Sequence, residues 1–241
     1  MVAFLKYALA YASVISIVAA APLELLKRKT SGVQTQCKQG HFALTFDDGP
    51  YKYTEALVDL LNEKNIKATF FVNGNNFWNI DSDTEAQNAI KKAYKSGHQI
   101  ASHTWSHADL DSLPESEIQT EMTKLEDALM RVIGVKPSFM RPPYGNSNKK
   151  TTEVLNNLGY TVVTWNIDTK DYETHDLNKE MENYKNELPS SNDSAGGIAL
   201  EHDVYEQTAE ELASAAIKYV EENNYKFSTV ADCFNAAPYK Q

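Results

Sequence analysis

The chain has little of several things, and each shortage excludes something. It holds two cysteines, Cys37 and Cys233, in 241 residues. That is too few for a disulfide-dense mini-scaffold and leaves room for one bridge. Basic residues are in the minority, 23 Lys and Arg against 33 Asp and Glu, for a formal net charge of −10. Nucleic-acid binding depends on neutralising phosphates, so no nucleic-acid partner is expected. Ten glycines and eight prolines are far from a collagen-like or low-complexity composition. After the first two dozen residues no apolar run reaches the roughly 20 residues that span a bilayer, so no membrane span is expected in the mature chain.

What is present is ordinary for a globular domain: 42% hydrophobic and 23% charged residues. The length suits one domain of α/β or all-β type. The opening "MVAFLKYALAYASVISIVAAAP" pairs an early Lys6 with an apolar run that closes on small residues. Residues 1–21 are therefore expected to be a secretory signal peptide. Residues 22–36, with the dibasic pair Lys27-Arg28, are expected to be a linker or propeptide, and residues 37–241 the functional domain. An even cysteine count in a secreted, extracellular or cell-wall protein predicts a Cys37–Cys233 disulfide. Closing so long a loop is worth on the order of 4–5 kcal/mol in the chain-entropy model. Asn192 opens an N-x-Ser sequon, a glycosylation acceptor.

Short apolar runs alternate with amphipathic stretches. The runs at 41–46, 68–73, 99–102, 138–141, 161–167, 196–202 and 226–230 read as buried strands. Helices are expected near 53–64, 84–96, 114–133, 148–158, 176–187 and 206–223. In the third of these, Ile118, Met122, Leu125, Leu129 and Ile133 recur at three- and four-residue steps, and Gly134 ends the pattern. This alternation predicts an α/β barrel or an open parallel sheet.

Polar residues gather where these runs end. Asp47 and Asp48 follow the first, His103 and His107 the third, Arg141 the fourth, Asp168 and Asp171 the fifth, and His202 closes the sixth. In α/β barrels that edge carries the active site. His103 and His107 lie four apart, a spacing that sets two imidazoles on one face of a helical turn. Two histidines and one carboxylate make a three-ligand metal site with an open position. One aspartate of the pair would then ligate the metal and the other act as general base, with Arg141 near enough to pair with it. The plain alternative for either aspartate is a cap on the next helix or a turn before Gly49-Pro50; the coincidence of five strand ends favours the site.

Together "TFDDGP", "SHTWSH", "RPPYG", "DTKDY" and "IALEHD" resemble, in order, the five motifs of the polysaccharide deacetylase family, carbohydrate esterase family four with its NodB homology domain. Within it the chain looks most like secreted fungal chitin deacetylases. The resemblance implies a distorted (β/α) barrel of seven or eight strands and a metal-dependent hydrolase. Its metal would be Zn2+, with Co2+ or another divalent ion as an alternative. Its substrate would be chitin or chitin oligomers, deacetylated to chitosan and acetate by a monomer. By the same resemblance Asp47 is the base, and Asp48, His103 and His107 are metal ligands. Arg141 orients Asp47, the Tyr144 N–H stabilises the oxyanion, and His202 is the acid, tuned by Asp171 with Asp168 as the alternative partner. Tyr172 stands where many members carry Trp. Tyr51, Trp78, Tyr144 and Tyr172 are expected to line the substrate groove, and Trp105 either to join them or to pack. The alternatives are an acetylxylan esterase or other polysaccharide deacetylase on the same site, and a non-catalytic secreted glycan-binding protein.

Overall fold

The computed structural model describes residues 32–190 and 195–241. The expected signal peptide, the Lys27-Arg28 pair and Asn192 lie outside the described residues. Among the described residues ten short strands form one parallel sheet: β1 (Val33–Gln34), β2 (His41–Ala43), β3 (Thr45–Asp47), β4 (Thr69–Val72), β5 (Gln99–Ser102), β6 (Phe139–Met140), β7 (Thr161–Val163), β8 (Ile167–Asp168), β9 (Gly197–His202) and β10 (Lys226–Phe227). Their order is β1-β7-β6-β5-β4-β3-β9-β2-β10, with β8 also on β9. The α/β class stands, with more strands than the seven or eight expected. Two apolar runs are each divided. The run from 41 splits because β2 pairs with β9 and β10 while β3 pairs with β4 and β9. The run from 161 splits because β7 pairs with β1 and β6, and β8 crosses to β9. One hydrophobic run serves two neighbourhoods, which apolarity alone does not reveal.

The helices are α1 (Thr54–Glu63), α2 (Thr84–Lys95), α3 (Glu115–Ile133), α4 (Lys149–Asn157), α5 (Asp171–Thr174), α6 (Leu177–Glu187), α7 (Ala213–Glu222) and α8 (Val230–Cys233). Local chemistry sets their ends. Asn148 and Asp176 cap α4 and α6 by accepting backbone N–H groups. Gly134 terminates α3 in the left-handed region at φ 74°. The apolar stripe of α3 buries Ile118, Met122, Leu125 and Leu129. Among the described residues no helix is long and apolar enough to cross a membrane.

At the N-terminal end of the strands, α8 closes the core. Its Val230 N–H donates to Thr69 Oγ1 at 2.9 Å and its Ala231 N–H to Gln99 Oε1 at 2.8 Å. Cys233 on α8 forms the disulfide with Cys37, closing a sequence separation of 196 residues. Replacing both cysteines by serine is expected to lower stability by about 2–5 kcal/mol, read as a lower denaturation midpoint. Turnover at low temperature should survive, because the bridge lies at the end of the fold away from His103 and His202.

Candidate active site

β3 ends on Asp47, which is buried. Its Oδ1 accepts from Arg141 Nη1 at 2.7 Å. Arg141 is fully buried just beyond β6 and is held on several sides. It donates to Thr45 Oγ1 at 2.8 Å and to the Thr164 carbonyl at 3.2 Å, and its guanidinium lies 4.2 Å from the centre of the Phe71 ring. Burial pushes the Asp47 carboxyl above its ordinary pKa, and the Arg141 charge opposes that rise. The outcome is one carboxylate fixed in orientation and more basic than a surface aspartate.

The neighbouring Asp48 turns the other way, since its backbone takes φ 74°. The next residue must be glycine for a packing reason. A Cβ on Gly49 would lie 2.4 Å from the Asp203 carboxylate, which accepts from the Thr54 hydroxyl. Asp48 Oδ1 comes within 3.5 Å of His103 Nε2 and 3.2 Å of His107 Nε2, and the three donor atoms lie within 4.8 Å of one another.

His103 Nδ1 donates to the Arg141 carbonyl at 2.8 Å. A carbonyl only accepts, so the ring proton sits on Nδ1 and the Nε2 lone pair faces Asp48. Burial lowers the His103 pKa to about 3, so the ring stays neutral. Asp48 Oδ1 is buried with no hydrogen-bond donor. Electron-rich atoms converging in this way repel unless a cation lies between them, and Asp, His, His is a donor set for zinc or a similar divalent ion.

The local geometry of the histidines differs from the expected helical turn. Residues 103–109 form an extended, bent loop in which Thr104 and His107 take positive φ, 71° and 58°. Those two left-handed residues aim both imidazoles at Asp48. Such backbone outliers cost free energy and persist where packing over-determines them. Trp105, between the histidines, is a packing residue. It is buried against Gly74, where a Cβ would meet the indole at 2.0 Å, and Lys124 lies 4.1 Å over the ring.

Across the cavity, β9 ends on His202. Its Nδ1–H donates to Asp171 Oδ1 at 2.7 Å, leaving Nε2 for the cavity. Burial pushes the His202 pKa down. The charge and hydrogen bond of Asp171, with smaller help from Asp48 and Asp47, outweigh it and raise the pKa to about 9. Asp168 makes no such contact. It accepts from the Lys170 N–H at 3.1 Å and sits 3.4 Å from the Tyr172 hydroxyl. The left-handed Lys170 at φ 57° turns the chain between the two aspartates and sends only Asp171 inward.

The cavity between these groups has a volume of about 370 Å³. Asp47, Asp48, His103, His107 and His202 form its polar wall, and Tyr144, Trp165, Tyr172, Tyr205, Pro142 and Leu200 its apolar one. Tyr144 is left-handed at φ 61°, stacks edge-on over His107 at 4.7 Å and is 65% exposed. Tyr172 meets His202 edge-on at 5.5 Å. Tyr51 and Trp78 do not line this cavity. They form a separate aromatic cluster with Phe77, ring centres 5.1–5.3 Å from Tyr51, and Phe77 is 44% exposed.

Leu200, Tyr205 and Trp165 were not among the expected site residues. Leu200 carried a legible signal, since it shares the inward face of β9 with His202 two residues on.

A model of the polysaccharide deacetylase family matches residues 34–163. A chitin deacetylase of Pestalotiopsis sp is 43% identical over 198 residues, covering 81% of this chain and 64% of that protein. The chain thus spans just under two thirds of that relative's length. A chitin deacetylase of Colletotrichum lindemuthianum is 37% identical over 207 residues, covering 84% of this chain and 83% of that protein. The solved structure of the chitin deacetylase from Colletotrichum lindemuthianum superposes with a TM-score of 0.83 at 36% identity, covering 87% of this chain and 95% of that one.

Proposed function

The chain belongs to the polysaccharide deacetylase family, and from that premise we propose that it hydrolyses the N-acetyl groups of N-acetylglucosamine units in chitin and its oligomers. The products are chitosan and acetate. The observation that carries this reading is the pairing across one cavity of Asp47, anchored by Arg141, with His202, anchored by Asp171, beside the converging Asp48, His103 and His107. Two relatives named chitin deacetylase support the substrate. The domain runs from about residue 37 to 241. It works as a monomer outside the cell, where a disulfide persists.

An acetamide resists hydrolysis because its carbonyl is a weak electrophile and its amine a poor leaving group. Asp48, His103 and His107 would hold a divalent cation, zinc by preference. When bound, that ion supplies Lewis acidity to the carbonyl and acidifies water at the site. Asp47 takes the proton of the attacking water. Its burial makes it a better base, and Arg141 keeps it ionised and pointed. The Tyr144 N–H, set by the left-handed turn, donates to the oxygen on which negative charge develops. His202 enters as imidazolium and gives its Nε2 proton to the departing nitrogen. Asp171 favours that charged form. Leu200 and Trp165 offer the acetyl methyl an apolar wall. Tyr144 and Tyr172 stack on the reacting sugar, and Tyr51, Trp78 and Phe77 meet a more distant unit of the chain.

That division predicts a length-dependent effect. Trp78→Ala is expected to raise KM for chitin hexamer severalfold and leave the dimer unchanged, as measured by acetate release against chain length. The substrate class is tested by acetate release from chitin oligomers and from acetylxylan in parallel. Release from chitin oligomers supports the proposal. Release from acetylxylan alone keeps the chemistry and replaces the substrate.

A further inference from the structure

Asp171 is buried and accepts four hydrogen bonds. Its Oδ1 takes His202 Nδ1 at 2.7 Å and the Tyr172 N–H at 2.9 Å, and its Oδ2 takes the His202 N–H at 2.7 Å and Thr208 Oγ1 at 2.8 Å. Two of these donors are backbone groups and one is His202 itself. Among the described residues Thr208 is thus the one further side chain that holds the carboxylate.

Its placement depends on an unusual turn. Residues Thr208–Leu212 form a π-helical turn ahead of α7, and the Ala213 N–H reaches the Thr208 carbonyl across five residues. The wider turn shifts the register by about one residue between the entry of the helix and its body. The body keeps Ala213, Ala216, Ile217 and Val220 against the core. The entry turns Thr208 to Asp171, while the preceding Gln207 donates to Glu180 Oε2 on α6 at 2.8 Å. A threonine hydroxyl in a helix commonly bonds a carbonyl one turn back; here it donates to the carboxylate. Thr208 is fully buried and does not line the cavity, so substrate does not touch it.

We propose that Thr208, set by the π-turn, is a positioning residue that locks Asp171 in the rotamer that orients His202 for proton donation. This rests on the reading of His202 as the acid of the proposed reaction. Losing one hydrogen bond to a charged group that acts through a neighbour is expected to reduce kcat for chitin oligomers about tenfold. KM should hold, because Thr208 does not line the cavity and the side chains proposed to stack on the sugar, Tyr144 and Tyr172, are left in place. Thr208→Val is nearly isosteric and removes only the hydroxyl, and Thr208→Ser restores it.

The test measures kcat and KM of both variants, together with the proton NMR signal of His202 Nδ1–H. Thr208→Val is expected to lower kcat with KM unchanged and to shift or broaden that signal. Thr208→Ser is expected to return both to the parent values. A Thr208→Val protein with parent kcat and an unaltered Nδ1–H signal overturns the proposal. So does a Thr208→Ser protein as impaired as the valine variant. If the parent releases no acetate, the functional reading fails, and the NMR comparison still decides whether Thr208 positions the Asp171–His202 pair.

Discussion

Asp47→Asn is expected to retain the metal and lose about 10³-fold in kcat. The substitution keeps the shape and burial of the side chain but removes the basic oxygen that takes the proton. A well-placed general base contributes roughly 10²–10⁴-fold. The proposed assignment gives base and metal ligand to different carboxylates, with Asp47 Oδ2 3.7 Å from His103 Nε2. Asp47 faces Arg141 at 2.7 Å, whereas Asp48 is the carboxylate that converges with His103 and His107. Asparagine at 47 keeps an oxygen that accepts from Arg141, but the buried guanidinium loses its countercharge, so the variant is also expected to be less stable. Metal content, read by elemental analysis of the purified variant, should match the parent. A variant with near-parent turnover would remove Asp47 from the role of base.

The second large effect is expected from Asp48→Asn and His103→Ala, which should lose metal and turnover together. Asp48→Asn replaces the one anionic donor of a set of three by a neutral amide, and His103→Ala removes a donor outright. His103→Ala has a further consequence, because its Nδ1–H fixes the carbonyl of Arg141. The expected loss is at least about 10⁴-fold, since the Lewis acidity goes with the ion. Added zinc should restore little activity to either variant, while the chelated parent should recover. Parent-like zinc content in Asp48→Asn would contradict the ligand set.

The proposed acid–base pair, His202 and Asp47, predicts a pH profile. His202 must be protonated to donate, and its pKa is raised to about 9, so turnover should hold through neutrality and fall above that value. Asp171→Asn removes the countercharge while burial remains. The His202 pKa should then drop below its ordinary value and the alkaline limb move toward acid. On the acid side Asp47 must be ionised, and its raised pKa places that limb above the ordinary carboxylate range. A plot of log kcat against pH for the parent and Asp171→Asn reads both limbs.

Much of the site was legible because strand ends concentrate it. Asp47, Asp48, His103, Arg141, Asp171 and His202 each follow or close an apolar run, and the parallel sheet carries those ends to one edge. What the sequence did not show depends on backbone excursions that leave no periodic trace. The histidines were expected on a helical turn and instead meet through the left-handed Thr104 and His107. Asp168 and Asp171 were both open as partners of His202 until the turn at Lys170 separated them. Tyr51 and Trp78 follow strand ends, as wall residues would, yet the Tyr51 ring packs on Trp78 and on Phe77, and neither residue lines the cavity. The π-turn that places Thr208 depends on a register shift that helical propensity does not encode.

The central claim is that this chain is a metal-dependent deacetylase of chitin oligomers. It is tested most directly by measuring acetate released from chitin oligomer by the purified protein as isolated, after chelation, and after zinc is restored to one equivalent. The account predicts release by the isolated protein, loss on chelation, and recovery that follows zinc occupancy of one ion per chain. Undiminished release from protein shown to be metal-free would contradict it, as would no release from protein carrying a full equivalent of zinc.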